Sequence, residues 1–500
     1  MQGKILLLRH QFMEDILAII SLITIILFST ITSEALTRYG LVQATLGRKL
    51  LHISAITSCA VAPLIIANHI VFVCIVASFT IILFFAVRKK LFQLDQAHHR
   101  SWGIFFFVLA FLILIVLCHP HSNYLIFYPM IIMAWSDSVA GLVGIKFSKK
   151  YFQPISEKKS LLGCLAFFST SCLIFGLSKL FPGRFPVIPL SQDVAYFISA
   201  VIIIGLMLTL CEAVSTRGSD NLSVPLVAAI LMHLLFENKT SSPIVQYWFA
   251  MMLAVLFAAA AYRYKLLSLS GSLTALALAF FVFGIGGLAW SVPILLFFVS
   301  GSLASKLNKK SGVSSDAKSK RPRDYIQVIC NGGVGLVCIW CYGITANTDW
   351  YLVYLVSIAV STADTLSSEI GIYMRRQTVH IINFKKLPTG VSGGVSLPGT
   401  LAAAVGAACI AAVGVFYLST NYAKAFVLIT TLGFAGSIAD SIIGACLQAK
   451  YMHTDTVSDV PQHPGDKLIS GMRWMTNDMV NILANIIISL LAVLLINIPQ

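Results

Sequence analysis

Apolar runs of about 20 residues, the length that crosses a bilayer, recur along nearly the whole chain between short polar connectors. The pattern predicts spans near 14–33, 49–67, 69–88, 102–119, 122–145, 160–177, 194–214, 222–236 and 243–262. Further spans are predicted near 271–285, 288–304, 326–345, 349–372, 394–417, 425–447 and 478–497. The pair around 271–304 is short and glycine-rich. The expected fold class is all-α: a polytopic membrane protein of roughly 15–16 transmembrane helices. The first apolar run lacks a small-residue exit site and reads as an anchor, not a cleaved signal peptide.

Composition agrees, with 58% hydrophobic and 11% charged residues in 500. The net charge of +15 would suit nucleic acid, but the basic residues sit in alternate connectors. These are Arg88 to Lys90, Lys146 to Lys159, Lys306 to Arg323, Arg375-Arg376 and Lys385-Lys386. Threading the spans puts all these basic groups on one face, which the positive-inside rule makes cytoplasmic, with both termini on the far side. Membrane lipid, not nucleic acid, is the expected surrounding partner. The 11 cysteines lie mostly in apolar runs and read as small buried hydrophobes, not as a disulfide frame or zinc site.

Carboxylates change the picture. An ionisable group at mid-bilayer costs at least ~2.5–3.5 kcal/mol, so it usually faces a cavity and marks function. Asp137, Glu212 and Asp220 lie in or at the ends of first-half spans; Asp364, Asp440 and Asp478 do so in the second half, with Glu369 as a helper. Upstream, Arg48 and His52 are four apart and share a helix face. Asp137, Gly141 and Gly144 form one stripe that lets a backbone or ligand approach the acid. Lys158, Lys159 and Ser160 then open the next helix, three residues before Gly163. A helix N-terminus with lysine and a hydroxyl suits phosphate, and an opposing carboxylate suits Mg²⁺. Glu212 ends a span and Asp220-Asn221 begins the next at the same face. The plainer readings are a snorkelling Arg48, a packing stripe, and an ordinary N-cap.

Taken together, RKxxH, D-x6-G with a basic loop and KKSxxG, and E-x7-DN-x3-P resemble the phytol kinase and dolichol kinase family over about residues 40–235. Arg100-Ser101-Trp102-Gly103 fits that family too. The D…G…P…KKS…G block also resembles the phosphatidate cytidylyltransferase signature. The resemblance implies phosphorylation of an isoprenoid alcohol with CTP and Mg²⁺. Ile145, Ser148 and Cys164 depart from the common pattern.

The second half repeats the theme. Asp324, Gln327 and Asn331 recur at helical spacing, and Asp364, Ser368 and Gly371 share a face. Lys385 and Lys386 precede a Gly/Ser/Thr-rich stretch holding Gly390, Gly393 and Ser396, whose backbone N–H groups can converge on phosphate. Gly433, Gly436 and Gly444 flank Asp440, while Asn477, Asp478, Asn481 and Asn485 open the last span. No Walker sequence occurs anywhere. The plainer readings are a re-entrant turn and interhelical hydrogen-bond glue. The strings DTLSSEIG, PTGVSGGVSLPG, GSIADSIIGACLQ and WMTND are similar to the phytyl-phosphate kinase family over about residues 265–497. That family adds a second phosphate to an isoprenyl monophosphate.

The expected organisation is a prenol kinase domain over 1–262 and a prenyl-phosphate kinase domain over 263–500, the latter with a basic loop at 305–325. Each half runs in the same order: acid-bearing span, basic loop, SLxG helix start, second acid, Asp/Asn helix start. That order implies two helical bundles of common ancestry. The expected substrates are an isoprenoid alcohol and its monophosphate, and the donor is CTP or another nucleoside triphosphate. A lipid cytidylyltransferase would use similar ligands but release pyrophosphate. A multi-pass transporter or flippase would also carry membrane acids.

Overall fold

The computed structural model describes residues 2–89, 102–181, 183, 186–188, 193–237, 243–311, 322–374, 377–418, 421–453, 456–461, 463 and 465–496. Lys90, Arg100, Ser101, Arg375, Arg376 and the 312–321 stretch of the basic run lie outside them. The chain divides into two compact units, Met1–Ile244 and Val245–Gln500.

The first unit holds α1 (Gln2–Arg38), α2 (Ala44–Ile65), α3 (His69–Arg88), α4 (Gly103–Cys118) and α5 (Tyr124–Phe147). A hairpin of β1 (Tyr151–Phe152) and β2 (Lys159–Ser160) leads to α6 (Leu161–Leu180), α7 (Val194–Ala213) and α8 (Asp220–Met232), which ends in a π-helical turn. The centre is α5: Tyr128, Met130, Ile132 and Ala134 are shut away from solvent beneath α2, α6 and α8.

The second unit runs α9 (Ile244–Arg263), α10 (Leu269–Ser311), α11 (Tyr325–Thr345) and α12 (Asp349–Tyr373). Strands β3 (Thr378–His380), β4 (Lys386–Leu387) and β5 (Gly394–Val395) precede α13 (Leu397–Val415) and α14 (Tyr422–Leu447). Strands β6 (Lys450–His453), β7 (Thr456–Ser458) and β8 (Lys467–Ser470) precede α15 (Asn477–Ile496). Here α12 is the axial helix, buried from Val353 to Ala363 and packed by α10, α11, α13, α14 and α15.

The predicted spans map one to one onto helices, except that 271–285 and 288–304 share α10. Gly287 breaks that helix with φ 62° and ψ −149°, a conformation only glycine adopts freely. In a lipid medium the carbonyls freed by such a break need partners. Gln246 Nε2 donates to Phe283 O at 3.1 Å and Gly284 O at 3.3 Å. Tyr351 Oη donates to Ala289 O at 3.0 Å, and Tyr354 Oη to Trp290 O at 2.5 Å. Among the described residues, twelve helices are long and apolar enough to cross a membrane. The protein is therefore an all-α polytopic membrane protein in its core.

Three features differ from the sequence-based expectation. The break between units falls one helix before 262/263, because Gln246, Tyr247 and Ala250 of α9 pack on the 280–284 stretch of α10. The loop expected from 305 begins only after Ser311, since Ser305 and Asn308 continue the helix while bonding Glu369. The connectors carry three small antiparallel sheets, whose strands of two to four residues are too short to show a period in the sequence. Cys338 and Cys341 form a CxxC pair within α11, and both are free thiols.

Candidate active sites

In the first unit α2 aims two side chains at α5. Lys49 Nζ lies 2.7 Å from Asp137 Oδ2, and His52 Nδ1 lies 3.9 Å from the same oxygen. His52 also sits 3.5 Å from Ser138 Oγ. Gly141 makes this docking practicable: a Cβ there would stand 3.1 Å from Lys49 Cε. Lys49 is absent from the sequence-derived set; its i, i+3 spacing to His52 was the available signal. Arg48 precedes it on α2.

A second pair lies alongside. Lys159 Nζ is 2.7 Å from Glu212 Oε1, with side-chain exposures of 14% and 10%. Burial alone would lower the Lys159 ammonium, but the charge and hydrogen bond of Glu212, with Asp220 and Glu157, hold it above its ordinary value. Asp220, in the first turn of α8, lies within the fields of Asp137, Lys159 and Glu212, so these four gather at one place. Ser160 caps α6 by accepting from Gly163 N at 3.0 Å. The same hydroxyl fills the notch at Gly144, where a Cβ would come within 2.6 Å of it. Lys158 is exposed beside the pair. Asn221 Nδ2 donates to Gly103 O at 2.9 Å, tying α8 to α4.

The second unit builds a different centre on the same plan. Asp364 of α12 and Asp440 of α14 bring their carboxyl groups close enough to act on one another. Small residues permit the approach: a Cβ on Gly433 would stand 2.7 Å from Ala359 Cβ. The Asn481 amide is satisfied when its nitrogen is turned toward Asp440 Oδ2 at 3.0 Å and Asn477 O at 2.8 Å. Asp478 is buried at the head of α15. Deeper, Asn485 Nδ2 donates to Ser357 O at 3.1 Å and Ser361 Oγ at 3.0 Å, and Ser361 Oγ donates to Asn331 O at 2.9 Å. The polar stripe of α15 is thus turned inward to α12.

The glycine-rich connector is fastened beside this centre. Ser392 N donates to Asp459 Oδ2 at 2.9 Å, and Ser392 Oγ to Gln448 Oε1 at 2.8 Å. Gly390 and Gly393 take φ of 89° and 82°, and a Cβ on Gly393 would fall 2.6 Å from Ala445 Cβ. Lys385 and Lys386 are exposed on the strand side of this loop. Ser396 caps α13 by accepting from Gly399 N at 3.3 Å, and its hydroxyl lies 3.1 Å from where a Cβ on Gly371 would be. Glu369 faces away from the acid pair. It accepts from Ser305 Oγ and from Asn308 Nδ2 at 2.5 Å, with Arg323 as its nearby counter-charge.

Among the described residues, no three His, Cys, Asp or Glu side chains come close enough to cage a metal by themselves. Mg²⁺ does not require that; it binds through one or two carboxylates plus phosphate and water oxygens. Two carboxyl groups in hydrogen-bond contact need a shared cation, a proton or a metal ion. Asp364 with Asp440 fits that donor set, and Asp137 and Asp220 lie within each other's field.

Fold and sites together define a multi-pass membrane protein carrying buried carboxylates beside capped helix starts. Residues 252–489 match the family model described as integral membrane protein DUF92. An uncharacterized membrane protein of Methanocaldococcus jannaschii is 32% identical over 33% of this chain and 67% of its own length. The chain belongs to the DUF92 family of integral membrane proteins. It is also 30% identical to Protein VTE6, chloroplastic, of Arabidopsis thaliana, over 46% of this chain and 65% of that protein. A probable phytol kinase, chloroplastic, of Triticum aestivum is 28% identical over 42% of this chain and 73% of that protein. No solved structure matches.

Proposed function

We propose that this chain phosphorylates isoprenoid alcohols twice, the first unit making the monophosphate and the second the diphosphate. The wheat relative's name, probable phytol kinase, supports a prenol kinase role. The resemblance of the two halves to prenol kinases and prenyl-phosphate kinases supports the order. The observation that carries the reading is a cradle built twice. Asp137 stands seven residues before Gly144, which receives the Ser160 cap; Asp364 stands seven before Gly371, which receives the Ser396 cap.

In each unit an acid on a central helix faces the start of a helix whose backbone N–H groups suit phosphate. CTP, or another nucleoside triphosphate, is the donor. Mg²⁺, when bound with the donor, neutralises charge between its phosphates. Asp137 with Asp220, and Asp364 with Asp440, are its proposed holders, with Glu212 and Asp478 adjoining. In the first step the substrate hydroxyl oxygen forms a bond to the γ-phosphorus. The β–γ bridge breaks with its electron pair leaving on CDP, and the hydroxyl proton passes to the Asp137 carboxylate. Lys49 and Lys159 offset the spread charge, while Arg48, His52 and Lys158 line the approach. In the second step a phosphate oxygen attacks and needs no base. There the Ser392–Ser396 loop, with Lys385 and Lys386, holds acceptor and donor against mutual repulsion. The positive-inside rule supports a cytoplasmic orientation for both sites.

Purified full-length protein given γ-labelled CTP, Mg²⁺ and geranylgeraniol tests this. Label in geranylgeranyl monophosphate and then diphosphate, with CDP released, is the expected result. Release of pyrophosphate would make it a cytidylyltransferase.

A further inference from the structure

An apolar cavity of about 370 Å³ opens among α9, α10 and α11 in the second unit, the size of a small-molecule pocket. Phe257, Leu278, Leu295 and Phe298 wall it, and almost all its lining is hydrocarbon. Arg323, Gln327 and Asn331 follow one another at helical spacing along one wall, Arg323 beside the start of α10 and Asn331 level with Leu278. Such a shape, a greasy pouch with one guanidinium and two amides along a wall, matches an amphiphile with an anionic head.

Its position adds to the case. Arg323 Nη2 would lie 3.1 Å from a Cβ on Gly301, and so would Thr365 Cγ2, the neighbour of Asp364 in sequence. Asn331 is joined to α12 through Ser361, one turn before Asp364. The polar wall therefore abuts the segment of α12 that carries Asp364. The kink at Gly287 bends α10 along the pouch, and α10 lines it both before the kink, at Phe283, and after it, at Ser291. Arg323 is held in place by backbone pairing, Ser268 N donating to its carbonyl at 2.9 Å and its own N–H to Leu266 O at 3.2 Å.

We infer that this cavity receives the hydrocarbon tail of the isoprenyl monophosphate, with Arg323 holding the phosphate and the wall residue Ala279, further along α10, limiting the longest chain accepted. The inference rests on the kinase reading of the second unit. It separates the two halves of substrate recognition: Arg323, Gln327 and Asn331 read the head, and α9 and α10 measure the tail. Filling the pouch from the Ala279 position shortens it without touching the acids.

Two measurements on the full chain in lipid nanodiscs test it. First, geranyl, farnesyl and geranylgeranyl monophosphates are bound to wild type, A279F and the milder A279L. The expected result is an affinity loss of about 10-fold or more for the longest chain with little change for the shortest. Equal change for all chains, or none, overturns the inference. Second, a geranylgeranyl monophosphate carrying a photoreactive tail is cross-linked to wild type and the labelled peptides are mapped. Label on α9–α11, competed by geranylgeranyl monophosphate but not by phosphatidic acid, is expected; label elsewhere, or equal competition by phosphatidic acid, overturns it. Cross-linking in the pouch without phosphoryl transfer would sink the kinase reading and leave this site standing. Transfer that proceeds with no label in the pouch would do the reverse.

Discussion

Lys159 and Glu212 form a 2.7 Å ion pair in which each side chain is nine-tenths or nearly so withdrawn from solvent. A pair this enclosed depends on both members, because removing one leaves the other as a buried, uncompensated charge.

Lys159→Met should therefore destabilise the first unit by about 3–5 kcal/mol, and Lys159→Met with Glu212→Leu should recover much of that loss. Thermal unfolding in detergent reads both variants. A single variant as stable as wild type would contradict the arrangement.

The same pair sets a pH dependence. The folded-state Lys159 value is raised, so its contribution is fully present below the ordinary ammonium value of about 10.4 and lost as pH rises through the folded value. Stability should stay level on this account across neutral pH and decline only in strong alkali. The Lys159→Met, Glu212→Leu double variant should lack that part of the alkaline decline in a melting series.

Asp137→Asn should abolish monophosphate formation, whereas Asp364→Asn should let monophosphate accumulate while blocking diphosphate. Mass analysis of products distinguishes them. Equal loss of both steps in both variants would mean one shared site. Lys49→Met should reduce the first step alone, since its ammonium lies on Asp137.

Gly144→Ala should cost about 1–3 kcal/mol through overpacking, because the added methyl would meet Ser160 Oγ at 2.6 Å. Gly371→Ala should cost less, as its corresponding distance is 3.1 Å. Combining Gly144→Ala with Ser160→Ala should return part of the loss, at the expense of the cap. Denaturation midpoints check the order.

Much of this architecture was legible in the sequence. Hydrophobic run lengths located every helix, and the glycine-rich stretch at 271–304 marked the place where α10 breaks. Acids in apolar runs led to Asp137, Glu212, Asp364 and Asp440, since a costly residue in lipid signals itself. Lys49 went unmarked because a lysine beside an arginine at a helix mouth reads as an interfacial anchor. Glu369 shared a helix with Asp364, but only packing could reveal that it turns toward Ser305 and Asn308. The short strands escaped because pairing between β3, β4 and β5 depends on loop geometry and not on residue alternation.

The fastening of Ser392 to Gln448 and Asp459 has a consequence for biogenesis. Asp364 is made midway through synthesis of the second unit, yet the loop beside it is not fastened at both points until the chain has passed residue 459. The partner acid Asp440 waits in turn for Asn481 on the last helix. A nascent chain therefore carries the Asp364 carboxylate without its partner until Asp440 has been made, and the site closes only as the final helix docks.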